Sequence, residues 1–143
     1  LKNRQKGFES IFTEENKVHV INIHSKQPQL IDQELSALLK KYPKTKGIFV
    51  TNSKAFKAAR FLENHGMNLF LIGYDLTEEN LTHLEKDTIN YLISQKPLEQ
   101  GYLSVKVLFN LLVLNKSVER EYQLPIEIII KENMNHQNTS NLL

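Results

Sequence analysis

The chain has 143 residues, 41% apolar, 24% charged and 8% aromatic, with 18 Lys+Arg against 16 Asp+Glu and a formal net charge of +2. At roughly 100–200 residues per domain this is enough apolar material for one core, which excludes wholesale disorder; the charge excess is too small for a phosphate-binding surface. With no cysteine there are no disulfides, thiolate metal sites or Cys nucleophiles, and no apolar run reaches the ~18–20 residues of a membrane span. The opening residues Leu1, Lys2, Asn3, Arg4, Gln5 and Lys6 hold neither an initiator Met nor a signal-peptide apolar stretch, and predict a segment of a longer protein.

Residues 18–23 are a short β-branched run bounded by polar residues and predict a first strand. Leu30, Ile31, Leu35, Leu38, Leu39 and Tyr42 then recur at helical spacing, and Pro43 stops that helix. Gly47 to Thr51 is the next strand, followed by a helix over 55–63 with Gly66 at its C-terminal cap. Leu69 to Gly73 is a third strand. Thr77 caps a short helix whose first turn carries Glu78 and Glu79. A fourth strand is predicted over 88–93, a long helix over 99–114, and a fifth strand over 126–130 after Pro125. The Asn-rich end, 133–143, should fray.

Strands that are nearly continuous in apolar residues, alternating with helices, define an α/β fold: an open, doubly wound parallel sheet covered on both faces. One element fits poorly. From Tyr102 to Leu114 the long helix has almost no polar face, so it must be buried on more than one side, which a single helix layer cannot provide. It is expected either to be a central helix of this sheet or to pack on a second lobe.

Ligands of open parallel sheets bind at the C-terminal ends of the strands. Asn52, Asp75 and Gln95 end the second, third and fourth strands and should converge there. Two carboxamides and a carboxylate make a set suited to hydroxyl groups, although each residue type is also a common cap or turn former. His24 ends the first predicted strand and is a further candidate contact. The histidines at 19, 65, 83 and 136 are scattered, and neither H-x-x-x-H nor a carboxylate cluster predicts a metal. No G-x-S-x-G, Walker loop or G-x-G-x-x-G occurs, so no catalytic apparatus and no cofactor are expected.

Five motifs, in order, resemble the effector domains of lactose-repressor-type (LacI/GalR) transcriptional regulators. Arg4, Gly7 and Phe8 match the R-x-x-G-F/W opening of a helix. Ile48, Phe49 and Asn52 match a strand end, and Ile72 to Asp75 the "I-G-F/Y-D" strand. Gln95, Pro97 and Gly101 match a "Q-x-P-x-x-x-G" crossover, and residues 125–133 the last strand. Two positions depart: the family's N-D pair reads Asn52-Ser53 and its D-D pair reads Asp75-Leu76. One acidic contact then remains where the family offers two, and the effector need not be a simple hexose.

The resemblance implies a lobe of the type 1 periplasmic-binding-protein fold, hinged to another around a sugar or other small polar effector. It places Arg4, Asn52, Asp75 and Gln95 at effector-contacting positions. Residues 1–96 would form the C-terminal lobe, 97–118 a crossover helix belonging to the first lobe, 119–133 a returning strand and 134–143 a frayed tail. A cytoplasmic homodimer is expected, touching DNA through a helix-turn-helix outside this segment, with an interface on Phe61, Leu81 and Leu84. The alternatives are a solute receptor of a sugar transport or sensing system without DNA-binding heads, and a small α/β enzyme, which lacks a nucleophile–base pair here.

Overall fold

A computed structural model describes residues 2–13, 17–23 and 27–135. The elements run α1 (Lys2–Glu9), α2 (Pro28–Lys41), β1 (Gly47–Phe49), α3 (Ala55–Asn64), β2 (Phe70–Tyr74), α4 (Glu78–Glu85), β3 (Tyr91–Ser94), α5 (Pro97–Leu112) and β4 (Glu127–Ile129). The sheet order is β1-β2-β3-β4; the first three strands are parallel and β4 returns antiparallel to β3.

Strand alternation sorts the sheet into two faces. Ile48, Leu71, Gly73, Leu92 and Ile129 lie in register on one face, against α3 and α4. Phe61, Leu62, Leu71, Leu84, Ile89, Leu92 and Ile129 are all essentially inaccessible there. Each side chain of this size contributes ~1.5–3 kcal/mol relative to exposure, so most of the apolar stabilisation lies in this layer. The other face carries Phe49, Ile72, Tyr74, Tyr91, Ile93 and Ile128. Here α1 supplies Phe8, which stacks on Phe49 at 4.5 Å between centroids, while Tyr91 and Ile128 stay exposed. Helices therefore flank both faces, unequally.

Gly73 allows the tight join between β2 and α3: a Cβ added there would come within 2.4 Å of the Ala55 Cβ. Thr77 caps α4 as predicted, its Oγ1 accepting from the Asn80 N–H at 3.3 Å. Gly66 follows α3 with φ +61, a left-handed residue ending that helix.

Four expectations are corrected. Described residues 18–23 form no sheet ladder. Ile23 packs on the core and His19 stacks on Tyr42 at 3.5 Å, but a β-branched run supplies strand propensity without a partner backbone. The strand predicted over 88–93 starts at Tyr91, because the N–H groups of Thr88 and Ile89 both donate to the His83 carbonyl and close the α4 turn first. Phe61 and Leu84 cannot form an exposed dimer face, being 0% and 1% accessible, and Leu81 is partly buried against the same core. Order also persists past 133: Asn133 Oδ1 accepts from the Ile130 N–H at 2.8 Å and Met134 packs on the core. The frayed end predicted beyond it, 136–143, lies outside the described residues.

Candidate functional site

Arg4 and Phe8, one helical turn apart on α1, face the sheet together. Phe8 lies on Phe49, and the Arg4 guanidinium lies 4.0 Å from the ring centroid of Tyr74, the last residue of β2. From this position over the aromatic face the guanidinium reaches two acceptors. Nη1 donates to the Thr51 carbonyl at 2.9 Å, at the end of the β1 segment, and Nη2 donates to Gln95 Oε1.

Gln95 follows β3 and passes the contact on. Its Nε2 donates to Asp75 Oδ1 at 2.7 Å. Its own carbonyl accepts from Gln100 Nε2 at 2.6 Å, which ties the residue to the first turns of α5. Lys96, immediately after it, has φ +51 and turns the chain into α5, where Pro97 needs no N–H partner. Asp75, just after β2, has φ +68, and its N–H donates to the Ile93 carbonyl at 3.0 Å.

Arg4, Gln95 and Asp75, distant in sequence, are thus joined in one polar chain at the C-terminal ends of β2 and β3. Asn52 sits on the adjoining loop, next to the Thr51 carbonyl that Arg4 holds. Its side chain is exposed, with Oδ1 accepting from the Lys54 N–H at 2.9 Å, so half of its amide serves the turn. His24 lies outside the described residues. Sequence reasoning missed Tyr74, Phe49 and Gln100. The first two could have been found from their odd positions in β1 and β2, which put aromatic rings on the face opposite Leu71 and Gly73.

The donor arithmetic shows what remains for another molecule. Arg4 commits two of its five N–H groups, Gln95 one of two, and Asp75 one of two carboxylate oxygens. The rim can therefore both donate and accept, as a polyol requires. Among the described residues no group of three His, Asp or Glu could hold a metal ion, and no helix is long and apolar enough to cross a membrane. A shallow cavity of about 220 Å³, lined by Leu62, Glu63, Met67, Lys86, Asp87 and Thr88 among others, opens where β2 and β3 begin and shares no residue with this rim.

A parallel-dominated α/β sheet with its polar rim at the strand ends is the architecture of a type 1 periplasmic-binding-protein lobe. The chain belongs to the periplasmic binding protein domain family, whose sequence profile matches residues 1–116. It is similar to a structure from Bacteroides fragilis assigned as a LacI transcriptional regulator, at 33% identity over 73% of this chain and 37% of that one, with TM-score 0.69. It is also similar to GanP, a glucose-galactose binding protein from Geobacillus stearothermophilus, at 25% identity over 93% and 49%, with TM-score 0.76. An ABC transporter solute-binding protein from Agrobacterium vitis, bound with alpha-D-tagatopyranose, shares the fold at TM-score 0.79 and 20% identity, over 96% of this chain and 47% of that one. The chain spans half or less of the length of these structures. A comparison with curated proteins gives no match.

Proposed function

We propose that this chain is the lobe of a sugar-binding protein that supplies Arg4, Asp75, Gln95 and Asn52 to the ligand. The single observation that carries the reading is the Arg4–Gln95–Asp75 chain, which holds a guanidinium and a carboxylate at fixed separation on the ligand-facing edge. Asp75 accepts from sugar hydroxyls through its uncommitted oxygen, Arg4 donates through its remaining N–H groups, and Gln95 keeps the two charges in place. The glucose-galactose specificity named for GanP supports an aldohexose-like solute.

The sugar would sit between this lobe and a second one, with α5 crossing to that lobe; relatives about twice as long support this division. Residues 1–96 then act as the ligand-binding lobe, 97–118 as the crossover and 119–133 as the returning strand. We further propose a cytoplasmic, dimeric regulator whose lobe closure alters operator binding through a helix-turn-helix elsewhere in the protein, supported by the similarity to the B. fragilis regulator. The similarity to GanP favours a second reading, a transport or sensing receptor without DNA-binding heads.

Titration calorimetry of the full-length protein with D-glucose, D-galactose and D-tagatose tests the sugar reading; silence with all three rejects it. A charge-assisted hydrogen bond of ~1.5–3 kcal/mol predicts a ten- to hundredfold loss of affinity in Arg4→Ala. Arg4→Lys should recover little, since a compact ammonium lacks the fork that reaches Thr51 and Gln95 from above Tyr74. Operator retention that responds to the bound sugar separates regulator from receptor.

A further inference from the structure

Asn80 is fully buried, in the first turn of α4, and makes none of the contacts that join Arg4, Gln95 and Asp75. Its side chain nevertheless joins the backbone segments that carry the rim. Oδ1 accepts from the Phe56 N–H at 2.8 Å, and Nδ2 donates to the carbonyls of Ser53 at 3.1 Å, Tyr74 at 3.0 Å and Asp75 at 3.0 Å. A carboxamide nitrogen has two hydrogens, so three carbonyls share two donors. One carbonyl belongs to the loop bearing Asn52, the other two to the turn bearing Asp75.

That turn needs holding. Asp75 is left-handed at φ +68, a region that disfavours residues with a Cβ, though Asp tolerates it better than most. Its N–H is bound to Ile93 of β3 and its carbonyl to Asn80. Clamped from both sides, its carboxylate is presented to Gln95.

We propose that Asn80 is a positioning residue of the ligand site: its carboxamide donors lock the Asn52 loop to the Asp75 turn and so aim the Asp75 carboxylate. The functional consequence rests on the sugar-binding reading; the geometric one does not. A residue that merely filled space would not depend on which atoms donate.

Asn80→Asp keeps the shape and the acceptor for Phe56 but removes the donors and sets an oxygen against three carbonyls. Ile89→Val, a buried truncation on the N-terminal side of β3, serves as the destabilised control. In the full-length protein, the Gln95 side-chain amide is followed by NMR without sugar, and affinity is measured for whichever of the three sugars binds most tightly. We expect Asn80→Asp to shift the Gln95 amide toward its solvent position and weaken binding about tenfold. Ile89→Val, at equal folded fraction, should leave both close to native. A native Gln95 signal in Asn80→Asp, or an equal disturbance by Ile89→Val, overturns the proposal. If no sugar binds, the sugar reading fails while the Gln95 signal still decides this one. If Asn80→Asp does not fold, hydrogen exchange of the Asn80 side-chain amide in the native protein decides it. Protection like that of core backbone amides supports the clamp, and exchange at a free-amide rate overturns it.

Discussion

Hydrogen bonds set the character of individual residues at both ends of the sheet. At the rim they link Arg4, Gln95 and Asp75; where β2 and β3 begin they converge on Glu63. Its Oε1 accepts from Thr88 Oγ1 at 2.7 Å and from His83 Nδ1 at 2.8 Å. The Thr88 bond, more than the His83 bond and charge, holds the Glu63 carboxyl below its ordinary value of 4.5, against a smaller upward push from burial. A depressed carboxyl contributes stability that is complete above its unfolded pKa and is lost as pH falls through the folded one. The contribution should therefore begin to fall near pH 4.5 and be gone only below the lower folded value, and solvent screening at this partly exposed side chain keeps it small. Thr88→Val preserves shape and removes the leading cause. We expect the Glu63 carboxyl resonance, followed by carbon NMR, to titrate at higher pH in that variant, and an unchanged midpoint would refute the assignment. Asp75 and Gln95 were legible in the sequence because strand ends are where ligands meet parallel sheets. The Glu63 cluster was not, because its bonds cross 20 and 25 positions and leave no local pattern. Neither was Asn80, whose side chain bonds only to backbone atoms, which carry no side-chain signature. Asn80 did leave one trace: it lies four residues before Leu84, a polar residue on the inward stripe of α4.

Among the elements, β2 and α3 meet in a tight join at Gly73 and Ala55. Leu92 also borders it, 3.2 Å from a Cβ added at Gly73. Gly73→Ala must push α3 from the sheet or bend β2, and overpacking of this kind costs typically ~1–3 kcal/mol. A loss of that size in chemical denaturation is expected. Because Gly73 is two residues before Asp75, the Gln95 side-chain amide should shift with it. A variant as stable as the native chain would show that the two elements slide apart freely. Helix positions and the parallel strands were legible from period and punctuation, with boundaries displaced by up to three residues. The faces of α3 and α4 were not. Helix α3 carries Phe56, Phe61 and Leu62, and the sequence alone did not tell which would point to the sheet. Residues 18–23 failed for a different reason: a strand is a property of two backbones, and only one of them is encoded locally.

At the scale of the molecule the unresolved tension is α5. None of its residues is buried, and Leu98, Val105 and Leu112 are 80%, 69% and 71% accessible. The sequence announced this directly, since a helix apolar on every side has no face that a single layer can satisfy. A contiguous apolar surface of this kind rarely stays solvated. The 143-residue chain should therefore associate with itself as concentration rises, and sedimentation velocity would show it. Val105→Lys with Leu112→Lys should abolish that association. Both positions are exposed, so the pair should leave the unfolding free energy of this chain within about 0.5 kcal/mol. In a two-lobed protein containing this segment the same pair should cost several kcal/mol, because two ammonium groups would be buried without partners. A large loss in the 143-residue chain would place the partner of α5 within this lobe, and no loss in the two-lobed protein would remove the crossover from the proposed architecture.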